Sequence, residues 1–449
     1  MNLLNKMLKE NQAWKTLVKT KLEPNVSSVI IRLTNCRLVR NGQLVRDDLM
    51  MRDGKILDPM RVFFVEKLTP DLEVDCGNLI VSPGFIDTQL NGGFGRDFTN
   101  TDENLTDNLQ YVSQKLLAYG VTAYCPTIIS SEPQVYSKLL PLVVPSTAPQ
   151  SDGAYILGVH LEGPFINKDK LGCHDVQTLQ ALSNGIKSLE AVYGRHVTEL
   201  KKNVCIITLA PELDPTGEVI RCLAENGIIV SVGHSTADLA QGEKAFADGA
   251  RYITHLFNAM VSFHHRDPNL IGLLSNRNLV KQEDIYYGVI VDDIHTHPAA
   301  VNISFKSHPN GLVLVTDSMA GMGIEEGSII HIGKQTVEIL ADPGKKRIKK
   351  AYLKGTQTLA GSVVTMNDCV LNLINATGCS LAEAIDCATE HPAKLLGIFP
   401  SKGSLDYGAD ADLVILDENI NIQATFLNGD LAWYASSWSP IFKCNHIST

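Results

Sequence analysis

Four segments of this 449-residue chain end apolar, strand-like runs in side chains that bind metals or move protons. Tyr155-Ile-Leu-Gly-Val-His-Leu-Glu162 finishes on a carboxylate. Ile228-Ile-Val-Ser-Val-Gly-His234 and Tyr252-Ile-Thr-His255 finish on imidazoles, and Gly311-Leu-Val-Leu-Val-Thr-Asp317 on a second acid. Two imidazoles and one carboxylate suit Zn²⁺ or another first-row divalent ion, with a position left for water. A single strand-end His or Glu is more often a hydrogen-bonded structural residue, and Asp317 alone would equally suit a cap for the segment after it. Recurrence on four runs favours a hydrolytic site with Glu162, His234 and His255 as ligands. Asp317 would be its general base and acid, taking a proton from metal-bound water and returning it to a leaving nitrogen.

Further candidates lie on the segments that follow such runs. His295, in Val291-Asp-Asp-Ile-His-Thr-His297, is placed to polarise a carbonyl and stabilise an oxyanion, with His297 given a structural role. Asn258, His264, His265 and Arg266 follow His255, and together with His174 they would clamp an anion, Arg supplying the fork that suits phosphate. Surface loops also carry Arg and His without function. The glycines of Asn91-Gly-Gly-Phe-Gly95 have neither Walker nor dinucleotide spacing and read as a tight turn.

A parallel barrel gathers strand-end groups of this kind at one mouth. Eight candidate strands alternate with helical stretches: Gly84 to Leu90, Val121 to Thr127, Ala154 to Leu161, Val204 to Ala210, Gly227 to Gly233, Arg251 to Leu256, Tyr287 to Val291 and Gly311 to Thr316. Helical spacing runs over Asn104 to Tyr119, Pro133 to Leu142, Thr216 to Asn226 and Ala237 to Asp248. Short β-like runs, among them Val29-Ile-Ile-Arg-Leu and Val62-Phe-Phe-Val, fill the chain from Ser27 to Val81. Matching runs around Gly408 to Asp430 suggest that the two ends pair in one sheet. The expected division is an N-terminal extension at 1–26, a small β-domain from 27–82 plus 400–440, and a barrel at 83–399.

Composition narrows the setting. Hydrophobic residues are 44% and charged residues 20%, ordinary for a globular protein. A formal charge of −10 opposes nucleic-acid binding, and Lys345-Lys-Arg-Ile-Lys-Lys350 reads as a solvated loop or turn. No run is long enough to span a bilayer. Ten cysteines without Cys-x-x-Cys pairing read as reduced thiols in a cytoplasmic protein. The lysine-studded N-terminus carries Glu10 and no Arg, which disfavours a transit peptide.

Ordered motifs from Ser28 to Trp433 together resemble the N-acetylglucosamine-6-phosphate deacetylases of the amidohydrolase superfamily. They are Pro83-Gly-Phe-Ile-Asp-Thr-Gln-Leu-Asn-Gly-Gly93, His160-Leu-Glu-Gly-Pro-Phe, Gly233-His-Ser-Thr-Ala, Thr254-His-Leu-Phe-Asn-Ala-Met, Leu314-Val-Thr-Asp-Ser, Leu359-Ala-Gly-Ser and Gly408-Ala-Asp-Ala-Asp-Leu-Val. His264-His-Arg-Asp-Pro268 is similar to the animal version of the family's loop. The resemblance implies an α/β fold, a (β/α)8 TIM barrel with a small β-sandwich from both chain ends, and a homodimer. It implies hydrolysis of N-acetyl-D-glucosamine 6-phosphate to D-glucosamine 6-phosphate and acetate. By position, Glu162, His234 and His255 would hold the metal and Asp317 would be catalytic. His295 would meet the acetyl carbonyl, and His174, Asn258, Ala259 and Arg266 would surround the sugar phosphate, His295 and Arg266 serving a neighbouring subunit's site. Many superfamily members carry His-x-His on the first strand for a second metal. Here Gln89-Leu-Asn91 stands instead, which favours one ion per subunit, Zn²⁺ first and Fe²⁺, Mn²⁺ or Co²⁺ as alternatives. Rival readings are a related amidohydrolase acting on another N-acyl substrate and a non-catalytic barrel scaffold.

Overall fold

Runs rich in Val, Ile and Leu need both faces covered, and eight of them form parallel strands wrapped by helices. In the computed structural model, which describes residues 29–146, 153–275, 285–332, 335–342, 345–356 and 359–444, these are β1 (Phe85–Leu90), β2 (Val121–Ile129), β3 (Val159–Glu162), β4 (Val204–Leu209), β5 (Ile229–Val232), β6 (Tyr252–Ile253), β7 (Tyr286–Ile290) and β8 (Leu312–Val315). Each pairs in parallel with the next, from β1 to β8. The ends of β8 and β1 are joined by Asp317 N–H donating to Gln89 O at 2.9 Å and Asn91 N–H donating to Ser318 O at 2.8 Å. Those two bonds bring the first and last strands together at the mouth where the acids and imidazoles emerge. Below the mouth the barrel is polar inside. His160 Nδ1 lies 3.0 Å from Thr88 O, which can only accept, so His160 Nε2 takes the Thr208 hydroxyl at 2.7 Å.

The run expected as one strand over Ala154 to Leu161 is interrupted. Tyr155–Ile156 pairs with β2, and the chain then bends at Gly158 with φ +132° before β3 begins. A Cβ at Gly158 would sit 3.0 Å from that of Cys205, so a side chain there would displace β4. Among the intervening helices, Leu105–Leu116 shows the logic. Leu105, Leu109, Val112 and Leu116 recur at helical spacing and are buried, and Asn104 caps the first turn by accepting from Thr106 N. Burying each such side chain is worth about 1.5–3 kcal/mol.

Nine strands from the two chain ends form a second sheet. Its seam is Ile80–Pro83, which runs parallel to Ile31–Arg40 on one side and antiparallel to Leu413–Leu416 on the other. Leu33, Leu38, Val74, Val81, Leu413, Ile415 and Phe426 share its core. Two expectations fail here and nearby. Val62-Phe-Phe-Val is not extended but lies in a short π-type helix at Arg61–Glu66, in which only Val62 is buried. Lys345 to Lys350 is not a loop. It belongs to the strand Lys345–Leu353 in a four-stranded antiparallel sheet with Ile329–Ile332, Gln335–Asp342 and Leu359–Gly361. That sheet packs Val337, Ile339 and Ala351 against Met319 and Val363 beside the barrel mouth. The N-terminal extension at 1–26 lies outside the described residues. No helix among the described residues is long and apolar enough to cross a membrane, and Cys36, Cys76, Cys125, Cys173, Cys205, Cys222, Cys369, Cys379 and Cys387 are free thiols.

Candidate active site

Three of the strand-end groups leave their strands on a left-handed residue: His234 at φ +49°, His255 at +27° and Asp317 at +45°. Non-glycine residues hold this conformation only where their surroundings over-determine it. Its effect is convergence. Glu162 Oε1 lies 3.1 Å from His234 Nε2 and 3.0 Å from His255 Nε2, and the two Nε2 atoms are 3.0 Å apart. His234 Nδ1 is 2.8 Å from Lys170 O, so it must carry the proton and donate, leaving the Nε2 lone pair aimed at Glu162. That is how a metal-ligating histidine is held. One carboxylate oxygen and two imidazole nitrogens at this spacing are compatible with ligands about 2.0–2.2 Å from a common ion.

Electrostatics agree with a cation-seeking cluster. Burial opposes ionisation of Glu162, but the adjoining imidazoles of His234 and His255 outweigh it and hold the carboxyl well below its ordinary value. Burial likewise works against charge on His255, yet Glu162 raises it to about 8. Asp317 behaves oppositely. Burial first, and the Glu162 charge second, push it up to about 7, the range of a working base. Asn91 Nδ2 donates to its Oδ1 at 2.8 Å, and Gln89 Nε2 donates to Glu162 Oε1 at 2.9 Å. The amides of Gln89 on β1 and of Asn91 just beyond it therefore act as donors to the two acids.

A cavity of about 280 Å³ opens over this group, and Glu162, His234, His255, Asp317, His295 and His174 all line it. Asn258 and Ala259 stand on its wall as well. His174 supplies a ligand atom within 4.8 Å of those of Glu162 and His234, so it competes with His255 for a place around an ion. Its hydrogen bonds decide against that. The Ser130 backbone N–H donates to His174 Nδ1 at 3.3 Å, which puts the ring proton on Nε2 and makes that nitrogen a donor. Burial, then the neighbouring His234, hold His174 down to about 3, so it is neutral.

Similarity to known proteins shows the family. Residues 80–432 match the amidohydrolase family. The N-acetylglucosamine-6-phosphate deacetylase of Mus musculus is 47% identical over 413 residues, spanning 92% of this chain and 97% of the mouse protein. This chain belongs to the N-acetylglucosamine-6-phosphate deacetylase family. A crystal structure of the deacetylase from Pasteurella multocida aligns with TM-score 0.74 at 27% identity, over 90% of this chain and 99% of that one. A Mycobacterium smegmatis deacetylase mutant in complex with N-acetyl-D-glucosamine-6-phosphate aligns with TM-score 0.72 at 26% identity, over 90% and 99%.

Within this deacetylase-family chain the sequence-derived residues divide by location. His295 lines the cavity of its own chain. His297 instead caps the helix Pro298–Ser307, its ring accepting from Ala299 N. Arg266 is exposed on the segment after β6 and lies outside that cavity, so the structure does not bring it together with His174. Sequence reasoning passed over Asp292, whose carboxylate anchors His295, over Ser130 behind His174, and over Glu212 behind His234. These residues stand on irregular segments with no periodic signal. Only their position just after barrel strands offered a hint.

Proposed function

We propose that this chain hydrolyses N-acetyl-D-glucosamine 6-phosphate to D-glucosamine 6-phosphate and acetate. The observation that carries the reading is the meeting of Glu162, His234 and His255 within 3.1 Å of one another in a cavity that also holds Asp317. Glu162, His234 and His255 would hold one divalent ion, Zn²⁺ ahead of Fe²⁺, Mn²⁺ or Co²⁺, and such an ion supplies Lewis acidity toward a carbonyl and toward water. Asp317 Oδ2 takes a proton from the attacking water and returns it to the sugar nitrogen as acetate leaves. His295 donates from Nε2 to the acetyl oxygen as negative charge develops there. His174 Nε2–H, Asn258 and the Ala259 backbone surround the sugar phosphate. Arg266, exposed and outside the cavity of its own chain, would serve the site of a second copy in a homodimer. The donor roles of Gln89 and Asn91 support a single ion per subunit, and free thiols suit a cytoplasmic enzyme.

A product assay tests this. The chain, stripped of metal and then reloaded with Zn²⁺, is given phosphorylated and unphosphorylated N-acetyl hexosamines, and free amine and acetate are measured. Turnover confined to the reloaded protein and favouring the 6-phosphate is expected. Equal turnover of both sugars would point to another N-acyl substrate.

A further inference from the structure

We infer that Glu212 is the positioning residue for His234 and so governs how tightly the site holds its ion, an inference that rests on the reading of His234 as a ligand. Glu212 sits in the single turn Pro211–Leu213 just after β4, at the mouth. Its carboxylate accepts four hydrogen bonds. Oε1 takes Thr236 N at 2.6 Å, Thr236 Oγ1 at 3.0 Å and Asn167 Nδ2 at 2.8 Å, and Oε2 takes Ser235 Oγ at 2.6 Å.

These donors lie on the two segments that hold His234. Ser235 and Thr236 follow it directly, and they must be fixed for His234 to stay at φ +49°. Asn167 N–H donates to His234 O at 2.9 Å and begins the turn whose Lys170 carbonyl, 2.8 Å from His234 Nδ1, fixes the ring. One carboxylate thus ties together the residues behind the imidazole and the turn that orients it. Without it, the left-handed bend can relax toward ordinary backbone and swing Nε2 away from Glu162. Groups that orient a ligand in this way typically cost about 10–100-fold in metal affinity when removed.

Titration of Co²⁺ into the full-length, metal-free chain, followed by its visible absorption bands, tests the inference. Glu212→Ala should raise the Co²⁺ Kd by about 10–100-fold and change the band pattern, because one nitrogen is displaced. Glu212→Gln keeps an acceptor oxygen for Thr236 and Asn167 and should recover most of that affinity. Glu212→Asp keeps the charge, loses the reach, and should bind more weakly than Gln. A folded Glu212→Ala with wild-type affinity and bands overturns the inference; if Ala does not fold, wild-type affinity in Glu212→Asp does so. His234→Ala separates the two claims. Unchanged affinity in that variant removes the ligand reading itself, whereas a loss there with none at position 212 removes only the role of Glu212.

Discussion

Asp292 and His295 form a fixed pair: the carboxylate Oδ2 lies 2.6 Å from His295 Nδ1. Its Oδ1 accepts the backbone N–H groups of Ile294 and His295 at 2.9 and 2.7 Å. Because a carboxylate only accepts, Nδ1 carries the proton, and a neutral His295 would turn a lone pair toward the substrate. To donate to a carbonyl from Nε2, the ring must be a cation. Burial opposes that charge, but Asp292 outweighs it and raises the pKa above the ordinary imidazole value. A raised pKa keeps the cation at higher pH, and donation is lost as pH rises through it. Asp292→Ala should therefore lower kcat/KM by about 10²–10³-fold, the cost of one oxyanion donor, and move the alkaline limb of its pH profile downward. An unmoved limb would show that Asp292 does not act through His295.

Replacing Asp317 with Asn should remove the proton carrier while keeping the bond from Asn91 possible. Turnover is expected to fall at least about 10²–10⁴-fold, with metal content and thermal unfolding close to wild type. Turnover near wild type would leave Asp317 without a role in proton transfer.

Arg266 is exposed in the single chain. If it reaches a phosphate on a second copy, Arg266→Ala should raise KM for the phosphorylated sugar by about 10–100-fold, the range of a charge-assisted hydrogen bond. KM for the unphosphorylated sugar should stay put. Steady-state kinetics on both substrates decide the point, and an equal change for both would place Arg266 elsewhere.

Deeper in the barrel, Asp87 has no exposure to solvent and bonds Thr316 Oγ1 at 2.6 Å. Burial pushes its pKa to about 7. An acid with a raised folded pKa binds its proton more tightly when folded. Stability therefore falls as pH climbs from about 4, the unfolded value, to about 7, and levels off above that. The full difference is roughly 4 kcal/mol. Asp87→Asn, which cannot ionise, should show a melting temperature that changes less than wild type across this window. Parallel curves for the two proteins would exclude Asp87 as the source.

Legibility in the sequence followed locality. Val230, Leu314 and their neighbours announce strands by composition, and His234, His255 and Asp317 stand out because a polar residue closes each run. Lys345 to Lys350 misled because its pairing is antiparallel to Gln335–Asp342, with Leu340 opposite Lys350, and charge on an inserted strand looks like a loop. Val62-Phe-Phe-Val misled in the opposite sense. Its β-forming residues are overruled by Val62 N–H bonding back to Asp58 O at 3.1 Å, which starts a helical turn. Asp292 and Glu212 were invisible for a different reason. A carboxylate that orients another side chain has no spacing rule, only a partner that the folded chain brings near.

The left-handed exits at positions 234, 255 and 317 carry one more implication. The main chain itself, and not the length of a flexible arm, aims these three groups, so chemistry and rigidity are bound together at this rim. Hardening the protein by relaxing those bends would blunt it as a catalyst. The far end of the barrel, away from the cavity, is where robustness is free to change.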